Sequence, residues 1–510
     1  MKLNSRGPLT LCVVLAAAGL VSCGRPPLMG NRPYPPDFDG YGYPRAMVAW
    51  DLQGSGQATL QLIDVKHDTV SNQEYTIHSY TISGFTGTNA LTIQDFPGQQ
   101  LAYVFADGGG SGTGAASFQP ANTGTDRAGT SIPGIAPGTT SAYITGDFQY
   151  VYSVSPITTH ASSGYLTTLR TSDGSEGLIP LASANKLAPS PGAASGSSSL
   201  LIFAANANNG SNNLYQLVGV GQNPIYQCTQ QLIPTLAFDK PINALYSSDG
   251  TSAFIFNCGP ECGGTTASVS IVSTAAMAAA AAPVFQQKLG CNVEPTYTPP
   301  PVTIPVQNIP VPGGVTKAVQ LGTTLFVTGQ ALYPGGEFGG FLTAIDLTGK
   351  TPAATYVIGD GIHLRMSVGD GGAPGVSNTL WIAAGGPTGS CSDGEQATLT
   401  TGITGCVTMV PIAQSGTGYG VAAGACTAAN PAPVFAGAKS CPGIVIEPSG
   451  QGGAGGVAPI IGYNKTYTVE GGTVYLYSTM DGSALSNLNV QVPGYAKDIA
   501  FIDGATNTAP

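Results

Sequence analysis

The sequence predicts an all-β protein, a β-propeller of seven or eight four-stranded blades closed by pairing of its N- and C-terminal strands. Two observations carry this. Charged residues make up only 9% of the 510-residue chain, against about 25% in typical domains. The remainder is rich in Gly, Ser, Thr, Ala, Asn and Pro, with β-branched and aromatic residues set between turn formers. The second is a repeat: an apolar strand, a polar turn, a second strand, a turn often holding Asp-Gly or Thr-Gly, and a third strand, recurring about every 50 residues.

The clearest copy runs Thr324-Leu-Phe-Val-Thr-Gly329, Phe341-Leu-Thr-Ala-Ile-Asp-Leu-Thr-Gly-Lys350, Ala354-Thr-Tyr-Val-Ile358. Others begin at Gln149-Tyr-Val-Tyr-Ser-Val154, Leu200-Leu-Ile-Phe-Ala204, Ala253-Phe-Ile-Phe-Asn257 and Lys465-Thr-Tyr-Thr-Val469. Weaker copies start at Met47-Val-Ala-Trp50, Leu101-Ala-Tyr-Val-Phe105 and Leu380-Trp-Ile-Ala383. Short strands at regular spacing fit a sandwich or a propeller, and repetition of one multi-stranded unit favours the propeller. The segment Asp498-Ile-Ala-Phe-Ile-Asp503 has no strands after it. It is expected to supply the innermost strand missing before Met47 and so remove an exposed sheet edge.

Upstream of the repeats, Lys2 and Arg6 form a basic head before an uncharged apolar run, Leu9 to Val21. That run is shorter than the about 20 residues of a spanning helix, and the pattern is that of a secretory signal. It ends in Leu20-Val21-Ser22-Cys23, which resembles the bacterial lipobox. The resemblance implies cleavage after Ser22 and lipidation of Cys23, and Gly24 in place of Asp implies the outer membrane. The expected organisation is a signal peptide at 1–22, a Pro-rich tether at 23–44, the propeller at 45–503 and a disordered tail at 504–510. Within the propeller, a Pro-rich connector at 294–314 and a Gly/Ala/Cys-containing insertion at 415–456 break the rhythm. The first reads as a loop of polyproline character, the second as a disulfide-pinned loop on one face. The alanine run 275–282, stopped by Pro283, is long enough for a turn or two of helix.

Without Lys2 and Arg6, 15 basic residues face 27 acidic ones, a net charge of −12. So acidic a chain is a poor partner for nucleic acid. Cys12 leaves with the signal, and eight cysteines remain in an exported chain, which implies disulfides. Cys258 with Cys262, Cys228 with Cys291, Cys391 with Cys406 and Cys426 with Cys441 are the candidate pairs, although eight cysteines allow 105 connectivities.

The organisation resembles the YVTN-type, lactonase-like β-propellers of bacterial envelopes. The residues that carry it are Leu325-Phe-Val-Thr-Gly329 and Phe254-Ile-Phe-Asn257 for one strand and Ala344-Ile-Asp346 for the next. The resemblance implies the fold and an envelope location, and no single activity. Ala344-Ile-Asp-Leu-Thr-Gly-Lys350 also resembles the repeat of quinoprotein propellers. It is one residue short between Asp346 and Thr348, and Ala353 or Ala354 stands where the docking Trp belongs, so it reads as an ordinary turn.

No catalytic, cofactor or metal constellation emerges. His67, His78, His160 and His363 are scattered, with no spacing suited to a metal. There is no Gly-x-Ser-x-Gly elbow, and Gly108-Gly-Gly110 and Gly452-Gly453 precede no helix that would hold a phosphate. An enzyme of lactonase type would need Asp, Glu, His or Arg to converge at the channel mouth. Asp147, Asp249, Asp360, Asp370, His363 and Arg365 are the residues placed to do so, although such carboxylates more often cap turns. The leading expectation is a monomeric, non-enzymatic, membrane-anchored module that binds or scaffolds envelope protein or glycan partners. The alternative is a propeller enzyme acting on a lactone or small sugar.

Overall fold

The computed structural model describes residues 45–502 apart from internal stretches, of which 69–80, 280–303 and 386–405 are the longest. Cys23, the lipobox and the tether lie outside the described residues.

The chain forms eight small antiparallel sheets arranged as an eight-bladed propeller. Blade 1 combines both ends of the domain, and blades 2 to 8 follow in chain order: 90–128, 141–180, 186–232, 241–310, 314–358, 362–421 and 454–491. The innermost strands are Tyr495–Ile502, Ala90–Phe96, Ser141–Ile144, Lys186–Pro189, Pro241–Tyr246, Gly314–Leu321, Ile362–Asp370 and Ala454–Ile460. Each of the eight repeat copies marks the second strand of one blade, so the count is eight.

These second strands were legible because both faces of each blade are buried. Successive strand residues point to opposite faces. In Arg45–Asp51, Ala46, Val48 and Trp50 pack toward blade 8, while Met47 and Ala49 pack toward blade 2. The same division recurs around the ring. Leu200 and Ile202 join blade 3 while Leu201 and Phe203 join blade 5. Phe254 and Phe256 face blade 6, Phe326 faces blade 7, Trp381 faces blade 8, and Phe105 faces blade 3. Each of the eight interfaces between neighbouring blades has its own apolar layer, and together these layers are the core.

Closure follows the predicted route. Tyr495–Ile502 pairs antiparallel with Arg45–Asp51, Val48 opposite Ile499 and Arg45 opposite Ile502. Blade 1 is also fastened on both flanks by ion pairs. Arg45 lies 2.6 Å from Asp126 of blade 2, both side chains only 5% exposed, and it donates to the Thr123 carbonyl. On the other side, Lys465 of blade 8 lies 2.6 Å from Asp68.

Two irregular segments differ from expectation. Within the connector 294–314, Val306–Pro310 is the outer strand of blade 5, pairing with Ser268–Val272. Its proline ends an edge strand, where a missing N–H costs no ladder bond. The insertion 415–456 is more than a pinned loop. Gly418–Val421 and Val445–Pro448 both pair with the third strand of blade 7. Thr427–Ala428 and Lys439–Ser440 form a ribbon on the outer edge of blade 6, held by the disulfide Cys426–Cys441. The second described bridge, Cys258–Cys262, closes a single helical turn between the second and third strands of blade 5. Cys406 is also disulfide-bonded; Cys291, Cys391 and the Cys228 side chain lie outside the described residues. Residues 274–277 begin the helical turn expected of the alanine run.

Removing one partner of a buried ion pair strands the other charge, which costs about 3–5 kcal/mol. Arg45→Ala is therefore expected to lower the unfolding free energy by about that amount, read by denaturant titration. Arg45→Met combined with Asp126→Leu is expected to recover most of the loss.

Candidate functional site

The innermost strands of a propeller line its central channel. In six of the eight blades the innermost strand slips register near its start. The residue after the slip is Asp498 in blade 1, Thr92 in blade 2, Asn243 in blade 5, Lys317 in blade 6, Arg365 in blade 7 and Gly456 in blade 8. Such bulges re-aim side chains. Here, in every such blade but the eighth, where the residue is Gly456, they set a polar residue at the corresponding position in a band around the channel. Lys186, the first residue of the blade 4 inner strand, adds to it.

Three cations and one carboxylate interact within this band. Arg365 Nε donates to Asp498 Oδ1 at 3.2 Å, and another guanidinium nitrogen donates to the Leu91 carbonyl at 3.2 Å. The other Asp498 oxygen accepts from the Ile93 amide at 2.9 Å. Arg365 thus reaches from blade 7 past blade 8 to blades 1 and 2. Glycines permit this approach: a Cβ at Gly456 would lie 3.0 Å from the Ile499 nitrogen and 3.1 Å from Asp498 Oδ1. Asp498 raises the Arg365 pKa and so holds the guanidinium charged.

Lys186 and Lys317 have no acceptor for their ammonium groups among the described residues. Burial, then the nearby positive charges of Lys186 and Arg365, push Lys317 down to about 7 against a smaller opposing pull from Asp498. Burial and Arg365 lower Lys186 in the same sense.

One residue further along the same strands, the wall turns apolar. Ala318, Met366 and Ile499 follow Lys317, Arg365 and Asp498, and with Val319, Val368 and Phe501 they line a cavity of about 760 Å³. Asp95 lies on this cavity too. One of its oxygens is buried without a hydrogen-bond partner, and burial raises its pKa to about 7.

Of the residues singled out from sequence as able to converge, only Arg365 belongs to this site. Asp147 accepts from Thr145 Oγ1 at 2.5 Å and the Gln149 amide at 3.1 Å. Asp249 does the same for Ser247 Oγ at 2.6 Å and the Thr251 amide at 3.0 Å, so both cap turns. Asp360 accepts from the Gly340 amide at 3.2 Å, and Asp370 from the Gly462 amide. His363 is buried, donating from Nε2 to the Gly359 carbonyl at 3.1 Å; burial lowers its pKa to about 4. His67, His78 and His160 lie outside the described residues. No group of three His, Cys, Asp or Glu side chains suited to a metal occurs among the described residues. Sequence reading missed Lys186, Lys317 and Asp95. The available signal was a charge in the segment before an apolar repeat strand: Asp95 before Leu101, Lys186 before Leu200 and Lys317 before Thr324.

No protein-family model matches the chain, and no curated protein matches it in sequence. Among solved structures it is similar to a dihydro-heme d1 dehydrogenase, NirN, at 11% identity and a TM-score of 0.47, covering 93% of this chain and 78% of that one. It is also similar to the periplasmic gluconolactonase PpgL of Pseudomonas aeruginosa, at 11% identity and a TM-score of 0.45, covering 90% of this chain and 99% of that one. A putative 6-phosphogluconolactonase of Bacteroides uniformis matches at 11% identity and a TM-score of 0.42, covering 79% and 100%. Likeness at this level carries no activity across.

The two shifted groups predict opposite pH responses. Asp95 holds its proton up to about pH 7 in the folded chain, whereas unfolded Asp releases it near 3.9. Stability from this group is therefore full below about pH 4 and falls as pH rises toward 7. Lys317 loses its proton near 7 when folded and near 10.4 when unfolded, so its cost is largest below pH 7 and fades toward pH 10. Asp95→Asn is expected to raise the melting temperature at pH 8 and leave it near wild type at pH 4. Lys317→Met is expected to raise it most at pH 6, with the gain shrinking toward pH 10. Thermal unfolding across pH checks both.

Proposed function

We propose that the protein is a lipid-anchored bacterial envelope propeller of the YVTN type that works as a binding module, with the central channel as its ligand site. The anchor reading rests on the N-terminal sequence: a basic head, a short apolar run and Leu20-Val21-Ser22-Cys23 before a Pro-rich tether. The observation that carries the binding reading is the channel band itself. Three cations meet one carboxylate that is already engaged by Arg365 and the Ile93 amide, and no carboxylate–histidine pair joins them among the described residues. Such a band can hold an anion. Envelope protein or glycan partners on the outer loops are part of the same proposal.

The rival reading, an enzyme acting on a lactone or small sugar, draws on Asp95. A carboxyl held near neutrality beside a cavity is what acid–base catalysis requires.

Two measurements test these readings. In a Gram-negative host, wild type is expected to carry acyl mass and pellet with membranes, and Cys23→Ala to become soluble; a soluble, unmodified wild type contradicts the anchor. Purified protein is expected to show no turnover of gluconolactone above the buffer rate. Hydrolysis abolished by Asp95→Asn, with the fold intact, would establish the enzyme instead.

A further inference from the structure

The channel joins two surfaces of opposite character along the same strands. Lys186 and Lys317 present ammonium groups with no acceptor among the described residues, in a chain whose 27 acidic residues outnumber its 17 basic ones. Folding alone gives no return for this arrangement. Burial and the neighbouring cations disfavour both charges, and an acidic chain offers many carboxylates that could have been set opposite them. Arg365 is different, since Asp498 and the Leu91 carbonyl engage it. The band therefore holds two lysines with no acceptor among the described residues, beside a carboxylate that Arg365 already engages.

Directly beyond the band, Ala318, Met366 and Ile499 begin the apolar wall of the 760 Å³ cavity. That volume lies within the about 300–1,000 Å³ range of small-molecule sites. A purely polar anion would fill the band and leave this wall wet. A neutral apolar molecule would fill the cavity and leave the lysines unmatched. A molecule that satisfies both has a charged head and an apolar body, in that order along the channel.

We propose that the channel binds a small amphiphilic carboxylate, its head between Lys186 and Lys317 and its apolar body against Met366, Ile499 and Phe501. This rests on the reading of the channel as a ligand site and adds the class of ligand. Asp95 lies at the cavity wall, outside the lysine band. In its protonated form it offers a hydroxyl donor, and in its ionised form it opposes a second negative group, which favours a monocarboxylate.

The test is calorimetric titration of the full-length mature chain with hexanoate, octanoate and decanoate, beside acetate, inorganic phosphate and 1-octanol. The expected result is binding that tightens with chain length, at most about fourfold per added CH₂ if each is fully buried. Lys317→Met and Lys186→Met are each expected to weaken octanoate binding about tenfold or more, and Met366→Asp to abolish the chain-length dependence. The lysine variants remove a buried charge, so their melting curves should show an intact fold. Phosphate or acetate binding that depends on the lysines but gains nothing from an alkyl chain overturns the ligand class and leaves the channel a ligand site. Octanol binding as tightly as octanoate, insensitive to the lysines, overturns the placement of the head. No binding of any probe to a cooperatively folded wild type overturns the ligand class together with the ligand-site reading.

Discussion

The structure depends on one constraint: the second strand of every blade is buried on both faces. A sheet that buries both faces needs a neighbour on each side, so a row of such blades has no acceptable end. The ring satisfies this only if its last blade meets its first. Trp50, Val48 and Ala46 against Tyr467, Val469 and Leu476 form that last interface. The strand Tyr495–Ile502 supplies the inner edge that blade 1 lacks. The buried pairs Arg45–Asp126 and Lys465–Asp68 then fix blade 1 against both neighbours.

The same closure assembles the channel band. Lys186, Lys317, Arg365 and Asp498 span more than 300 positions of sequence, and no local pattern joins them. They meet because the ring places the starts of eight inner strands around one axis. Asp498 shows how directly the two are linked: it sits on the closing strand, opposite Ala49, and anchors both Arg365 and the Ile93 amide. A chain that failed to close would lose its last apolar interface and the carboxylate of its charged band together.

This also explains what could be read from sequence. Runs such as Phe254-Ile-Phe256 and Leu380-Trp-Ile382 stand out because every residue in them is buried, on one flank or the other. The closing strand was legible because Asp498 to Asp503 had the composition of a strand and no partner after it. The inner strands were not, because channel-lining residues interrupt their apolar pattern, as Lys317 does between Val315 and Val319. The outer strand Val306–Pro310 was hidden by flanking prolines. Asp147 and Asp249 looked like turn caps and are turn caps. Asp95, followed by Phe-Pro-Gly, has the sequence setting of a turn residue, and only its place on the ring puts it beside the cavity.

The central claim, that one C-terminal strand closes the ring, is tested most directly by amide hydrogen exchange over Arg45–Asp51. The comparison is between the full chain and one ending at residue 494. The account predicts that these amides are protected in the full chain, exchange rapidly in the shortened one, and regain protection when a peptide of residues 495–503 is added. Protection of Arg45–Asp51 that is the same with and without the C-terminal strand would contradict it.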